Sequence, residues 1–320
     1  MSVFKKLLFT IGILPIFNVS YGQAWTDISP VPIFHWQCET GNSTFNHNPA
    51  LQITDTVLVF DSLPYTKDYT MIVVYKPMAE GEVSLWQLSY GDSATRRLTS
   101  ERILSDSMSI RYATQTDGIP AINTLRQSWP GSLTSEHPNN GTPDSTAPYV
   151  RLSIGGAGAL KVSEVLYYAG RLGNATLRKV QSTLAVRYGI TLGPVDYLDG
   201  AGRHVWDYAD SGMYHHRVTG VGIDTLTGLY QMRSRSEMTG AILTIATDSL
   251  ERGSFLMVGD NDAPLAFEQE GEVEVLERSW KIQASRTTGR YFSLIFDTRT
   301  WATPGDSLVL LVDNNIYLPE

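Results

Sequence analysis

Cysteine is nearly absent from this chain: Cys38 is the single one in 320 residues, so no internal disulfide can form. It stands too far beyond the N-terminal apolar run to be a lipidated first residue, and it reads as a small buried apolar side chain. Charge is also sparse, at 18% of residues, and acidic, with a formal net charge of −8. No cluster of Lys and Arg offsets that acidity, which argues against nucleic acid or an anionic lipid surface as partner. Long apolar runs are lacking too. Leu7–Phe17 is too short to cross a bilayer and no other segment approaches the required length, so no membrane span is expected. There is no dinucleotide-binding glycine fingerprint, no phosphate loop and no serine in a nucleophile-elbow pattern. The two halves do not repeat one another.

What is present begins with a leader. Lys5-Lys6, the apolar run and the small-residue exit at Ser20, Tyr21 and Gly22 match the three regions of a secretory signal, with cleavage expected near Gly22–Gln23. The mature chain is therefore expected outside the cytoplasm: secreted, in a periplasm or on a cell surface. At this length two domains are expected, each large enough to bury its own core.

Strand patterns dominate. Leu51–Ile53, Val57–Phe60 and Val83–Tyr90 read as strands, the last with Trp86, Leu88 and Tyr90 on one face. Thr70–Tyr75 is a near-continuous apolar run that fits a central strand covered on both faces. Ser109–Ala113 is a further short strand, and Thr114–Pro148, rich in Gly, Pro, Asn, Ser and Thr, reads as a long loop. Val150, Leu152 and Ile154 alternate in the next strand.

The chain is organised around Val162–Leu192. Val162–Tyr168 is β-branched and aromatic and reads as a strand, in which the apolar phase slips between Val162 and Val165, implying a bulge or two covered faces. A helix follows over 174–188, with Asn174 as N-cap and Gly189 as the C′ residue that ends it. Leu177, Val180, Leu184 and Tyr188 share a face, while Arg178, Lys179, Ser182 and Arg187 fall elsewhere, so one side is expected to pack on a sheet and the other to meet water. Beyond Leu192, the runs Val205–Tyr208, Val218–Ile223, Ala241–Ala246, Ser254–Val258, Val273–Leu276, Ser279–Gln283, Tyr291–Phe296 and Leu308–Val312 are spaced as in a sandwich.

These residues carry a resemblance. SEVLYYAGRL with its short basic helix resembles the closing strand and C-terminal helix of concanavalin A-like jelly rolls of the laminin G type. LAVRYGITL, YLDGAGRHVWD, HHRVTGVGIDTLTGLYQMRSRS and ERSWKIQ resemble a domain of unknown function that follows such jelly rolls in secreted Bacteroidetes surface proteins. The resemblance spans roughly Val150–Asp313 and brings no catalytic residues with it. It implies an all-β fold: a jelly-roll sandwich with one C-terminal helix at about 23–192, then a second β-sandwich-like domain at 193–320.

Several groups of residues could carry chemistry. Glu272, Glu274 and Glu277 in EVEVLE could act as paired carboxylates of a polysaccharide hydrolase, since alternation puts the first two on one strand face and a bulge could bring in the third. The bland alternative is a solvated strand face. Asp196, Asp199, Asp207 and Asp210 surround a Gly-rich turn, and Asp260 and Asp262 flank Asn261, so oxygen ligands for a structural calcium are available, although turns capped by Asp side chains explain them equally well. No other cofactor is implied. His215 and His216 point to opposite faces if they lie on a strand, which makes a poor bidentate site. Trp129, in the polar loop, and Trp206, beside the Asp-rich turn, are the candidates for a flat carbohydrate- or protein-binding surface, with ordinary packing as the alternative.

One pattern exceeds chance. Asp, then Ser or Thr, then an apolar residue or Thr occurs at Thr56, Ser62, Ser93, Ser107, Ser145, Thr225, Ser249 and Ser307, where composition would give about one or two. The pattern resembles the O-glycosylation signal of Bacteroidetes secreted proteins, and glycans there would require exposed sites. The expected role is non-catalytic: adhesion, surface assembly or glycan binding, with a glycan or a surface protein as partner. The hydrolase and a purely structural surface component remain as alternatives.

Overall fold

The computed structural model describes residues 25, 28–79, 81–90, 94–105, 108–111, 118–129, 150–270, 273–287, 289–302 and 309–310. Residues 1–22, where a leader is expected, and Glu272, Ser93, Ser107, Ser145 and Ser307 lie outside them.

The first half supplies β1 (Phe34–Gln37), β2 (Ser43–Phe45), β3 (Asn48–Thr54), β4 (Val57–Leu63), β5 (Asp68–Pro77), β6 (Ser84–Tyr90), β7 (Ala94–Thr99), β8 (Arg102–Ser105), β9 (Met108–Arg111), β10 (Ala121–Ser128), β11 (Val150–Gly155) and β12 (Ala159–Ala169). They form two antiparallel sheets. One runs β10-β5-β12-β3-β2 with β1 also on β12, the other β4-β11-β6-β7-β8-β9. Between them Tyr69, Met71, Val73, Tyr75, Val165 and Tyr167 pack with Phe60, Leu88, Leu152 and Ile154. The opposite face of β5 and β12, carrying Ile72, Val74, Leu166 and Tyr168, is covered by Leu177, Val180, Leu184 and Tyr188 of α1 (Asn174–Tyr188). The apolar run in β5 thus has a sandwich core on one side and a helix on the other.

The phase slip in β12 is a bulge. The register on β5 shifts between Val162 and Glu164, where the partner on the opposite edge changes from β3 to β1. Val162 and Val165 can therefore both face the sandwich core while Glu164 turns to the helix side.

The second half contains β13 (Tyr197–Leu198), β14 (His204–Trp206), α2 (Tyr208–Ser211) and β15 (His216–Asp224). It continues with β16 (Leu229–Gln231), β17 (Arg233–Arg235), β18 (Leu243–Ala246), β19 (Phe255–Asp260), β20 (Phe267–Glu270), β21 (Val273–Leu276), β22 (Trp280–Ser285) and β23 (Ser293–Phe296). Sheet β16-β15-β19-β22 packs on sheet β17-β18-β23 through Val221, Leu243, Ile245, Leu256 and Val258. β13-β14 and β20-β21 are two-stranded ribbons. The fold is an all-β sandwich architecture with two short helices among the described residues. No described helix is long and apolar enough to cross a membrane.

Five expectations change. The N-cap of α1 is Gly173, not Asn174, whose Oδ1 instead accepts a 2.7 Å bond from Arg126. The far side of α1 meets water only in its first half, where Arg178 and Lys179 are half-buried; Ser182, Thr183, Ala185, Val186 and Arg187 are buried, with Ala185 and Val186 packing on Tyr197, Val205, Val218 and Met257. The polar stretch after Thr114 contains β10, which pairs with β5 over eight residues from Ala121 to Ser128. Tyr208 leaves the strand reading and starts α2, and Val309 and Leu310, the described part of the last apolar run, are not in a strand.

Candidate functional site

The densest polar chemistry lies where α1 meets both halves. Glu164 enters the apolar strand β12, and the bulge aims its fully buried carboxylate at the helix. Its Oε2 accepts from Arg187 at 2.7 Å and from the Tyr188 hydroxyl at 2.8 Å, while Oε1 takes the Trp25 indole N–H at 3.2 Å and sits 2.9 Å from His35 Nε2. Burial works to raise the Glu164 pKa, but the Arg187 charge and the hydrogen bonds from His35 and Arg187 outweigh it and hold the carboxyl at about 2. Arg187 lies over the Trp25 ring and donates to the Gly228 carbonyl in the β15–β16 turn. One guanidinium thereby neutralises a core charge of the first half and binds the backbone of the second.

A hairpin forms the second part of this junction. Phe45 pairs with Asn48, so β2 and β3 are joined by the two-residue loop Asn46-His47, both at positive φ as a type I′ turn requires. The Asn46 amide donates to the carbonyls of Val186 and Arg187 and to Ser234 Oγ, and its Oδ1 accepts from the Arg235 backbone at 2.6 Å. Its own N–H goes to Glu237 at 2.8 Å and its carbonyl accepts from Gln231 at 3.1 Å. Lys76 adds an ion pair to Glu237 at 3.2 Å. Gly189 ends α1 at φ 62°, and a Cβ there would stand 2.4 Å from the Arg235 carbonyl, so this position admits only glycine on two counts.

The residues singled out from sequence have other duties. Trp206 is fully buried and donates its indole N–H to His215 Nδ1 at 3.0 Å. His215 Nε2 faces the Gly193 carbonyl at 2.8 Å, which fixes a neutral ring, and burial lowers its pKa against the raising pull of those carbonyls. His216 starts β15 and is exposed near Asp262, so the pair diverges as expected. Trp129 is 2% exposed and its ring packs against Tyr69 and Tyr90, so it offers no open flat face. Both tryptophans are corrected from binding platforms to core residues.

The four aspartates do not form one cluster. Asp199 is held by Arg203, accepting from its backbone and from Nε at 2.6 Å. Asp207 caps α2 through the N–H groups of Ala209 and Asp210, and Asp196 accepts from the Tyr208 N–H at 2.8 Å. Asp196 and Asp207 do come together with His204, their ligand atoms within 4.8 Å, a mixed nitrogen and oxygen set better suited to a transition metal than to calcium. Asp260 and Asp262 bind Arg217 at 2.5–2.7 Å, so the cation between them is a guanidinium.

Glu274 is exposed on the β20–β21 ribbon opposite Gln269, and Glu277 follows the strand with its N–H on the Ala266 carbonyl. Of the two described carboxylates, Glu274 thus lies on the exposed side of the ribbon and Glu277 is half-buried beyond its end. The four described Asp-Ser and Asp-Thr positions, Thr56, Ser62, Thr225 and Ser249, are all exposed.

Sequence reasoning missed Glu164 and Asn46. A lone Glu inside a strand covered on both faces was the available signal for the first. The second required the positive φ of the turn and a partner almost two hundred residues away.

Residues 176–317 match the family described as Domain of unknown function (DUF8202), a match to under half of the chain. No curated protein sequence matches. Among solved structures, the chain is similar at low level to the binding domain of a botulinum neurotoxin of serotype D (TM-score 0.32, 9% identity, 83% of this chain and 80% of that one). It is similar also to a family GH115 4-O-methyl-α-glucuronidase with specificity for decorated arabinogalactans (TM-score 0.25, 9% identity, 43% of this chain and 18% of that one). The chain thus spans less than a fifth of the glucuronidase, and at these TM-scores neither likeness carries an argument about fold or function.

Proposed function

We propose that the chain is an exported cell-envelope protein of the Bacteroidetes surface type, built from a laminin-G-like jelly roll and a following β domain, and that it works without catalysis in adhesion, surface assembly or glycan binding. The observation that carries this reading is the junction: Arg187, Glu164 and the Asn46 hairpin bond the two halves to one another through α1, a device suited to presenting surfaces at fixed geometry. Of the carboxylates that a hydrolase would need, Glu274 is exposed on the β20–β21 ribbon and Glu277 is half-buried just beyond it, which supports the bland reading of EVEVLE. Exposure of Thr56, Ser62, Thr225 and Ser249 is compatible with O-glycan at these turns, where bulk is tolerated.

The test is a side-by-side assay of purified protein on laminarin and agar for reducing ends and on a glycan array for binding. No turnover is expected, with Glu274→Gln indistinguishable from the parent; turnover abolished by Glu274→Gln would overturn the reading.

A further inference from the structure

The β13–β14 ribbon contains a bulge. Val205 and Trp206 are both buried, and the register shifts between the pairs Tyr197–Trp206 and Leu198–His204, so Val205 is the extra residue. The faces follow from that. With Tyr197 and Trp206 turned to the core, alternation sends Asp196 and Asp207, one position further along the ribbon, to the outer side. Leu198 alternates to that side as well, and its partner His204 goes with it. Without the bulge, His204 would share the side of Trp206.

The bulge thus gathers three metal-ligating side chains from one short ribbon. One ligand atom from each of Asp196, His204 and Asp207 lies within 4.8 Å of the others, and Asp196 Oδ2 stands 3.5 Å from His204 Nδ1. Ligand atoms bound at about 2.0–2.2 Å in a tetrahedral set stand about 3.4 Å apart, so this pair already has that spacing. Each carboxylate is held by one oxygen. Asp196 Oδ1 accepts from the Tyr208 N–H at 2.8 Å and Asp207 Oδ1 from the Ala209 N–H at 2.9 Å, which orients both groups and leaves Oδ2 of each without a hydrogen-bond donor among the described residues. The group is open to solvent: the His204 side chain is 54% exposed and that of Asp196 37%, so an ion can enter and the imidazole can swing to close the remaining gap.

We propose that Asp196, His204 and Asp207 form a site for an exchangeable divalent transition-metal ion, with zinc the best fit. One imidazole nitrogen and two carboxylate oxygens are ligands that zinc accepts at these lengths, in sites where three protein groups leave a further position to water or to an incoming oxygen ligand. Calcium is the poorer match, because it takes six to eight oxygen ligands and gains nothing from the imidazole. The ribbon and the cap of α2 are closed by the protein's own hydrogen bonds, so the ion is not needed for folding and adds stability only by mass action when it is supplied. Asp199 takes no part, since its carboxylate is bonded to Arg203. The site stands independently of the adhesive role proposed above.

The experiment titrates zinc chloride into the untagged full chain, previously stripped with EDTA and freed of the chelator, by calorimetry, with metal analysis of the dialysed complex. Asp207→Asn and His204→Ala are run in parallel. The first keeps the oxygen that caps α2 and puts an NH2 group where the ligand oxygen stood, and the second removes an exposed ring, so equal melting temperatures without metal check that the fold is kept. His216→Ala is the control, because His216 is the other exposed imidazole close to a carboxylate, 3.6 Å from Asp262. One zinc per chain is expected, retained against about a hundredfold excess of calcium and weakened about tenfold or more in both variants but not in the control. No saturable zinc binding by the parent, or binding as strong in Asp207→Asn and His204→Ala as in the parent, would overturn the site. Displacement of zinc by an equal concentration of calcium would overturn the choice of metal.

Discussion

Glu164 keeps its charge where solvent does not reach, and Arg187 is the reason. Removing one partner of a buried pair leaves the other uncompensated, at a cost of about 3–5 kcal/mol. Arg187→Ala is therefore expected to lower the unfolding free energy at pH 7 by that amount in a urea titration; a loss under about 1 kcal/mol would show that the pair is not buried as described. The same pair gives the pH dependence. A carboxyl depressed from 4.5 to about 2 on folding contributes stability that is fully present above pH 4.5 and disappears as the pH falls through about 2. The depression corresponds to about 3 kcal/mol, and unfolding curves taken between pH 5 and pH 2 should show the parent losing stability more steeply than Arg187→Ala. Little of this was legible in the sequence. The apolar run around Glu164 announced the strand, but the partner, Arg187, falls off the helix face that pattern reading assigns to the core, and so was placed in water.

At the scale of elements, the β2–β3 hairpin acts as a plug. Asn46 makes its bonds to the end of α1 and to the segment 234–237, across a junction to which local pattern is blind. Asn46→Ala removes the side-chain bonds and puts alanine at φ 44°, so a cost of about 2–3 kcal/mol is expected by chemical denaturation. Asn42→Ala, which loses exposed bonds to Gln52 within the first half, should cost well under half of that; equal costs would remove the special standing of the plug. The Asp-rich turn is the contrasting case. Asp199 is occupied by Arg203 and Asp207 by the N–H groups that open α2, so the melting temperature is expected to stay within about a degree on dialysis against EDTA, and a fall of several degrees would restore a structural metal ion there, its identity read by adding back calcium or zinc. Strands such as Thr70–Tyr75 and Val150–Ile154 were readable because alternation and apolar runs are local. β10 was hidden by the polar composition of AINTLRQS, which lies on the edge of its sheet and is only half-buried.

Across the whole molecule, α1 is shared property. Its Leu177, Val180, Leu184 and Tyr188 face belongs to the first half and its Ala185 and Val186 face to the second, with Arg187 bonded to both. A helix buried on two sides cannot keep its place if either half unfolds, so the halves should fall together. Separate sandwiches on a flexible connection would not behave this way, and composition alone does not distinguish the two arrangements. The most direct check is differential scanning calorimetry of the chain from residue 23 onward. One endotherm whose calorimetric and van't Hoff enthalpies agree is predicted, together with its division into two when Asn46→Ala and Arg187→Ala are combined. Two independent transitions in the parent chain would contradict the shared helix and junction on which the proposed role depends.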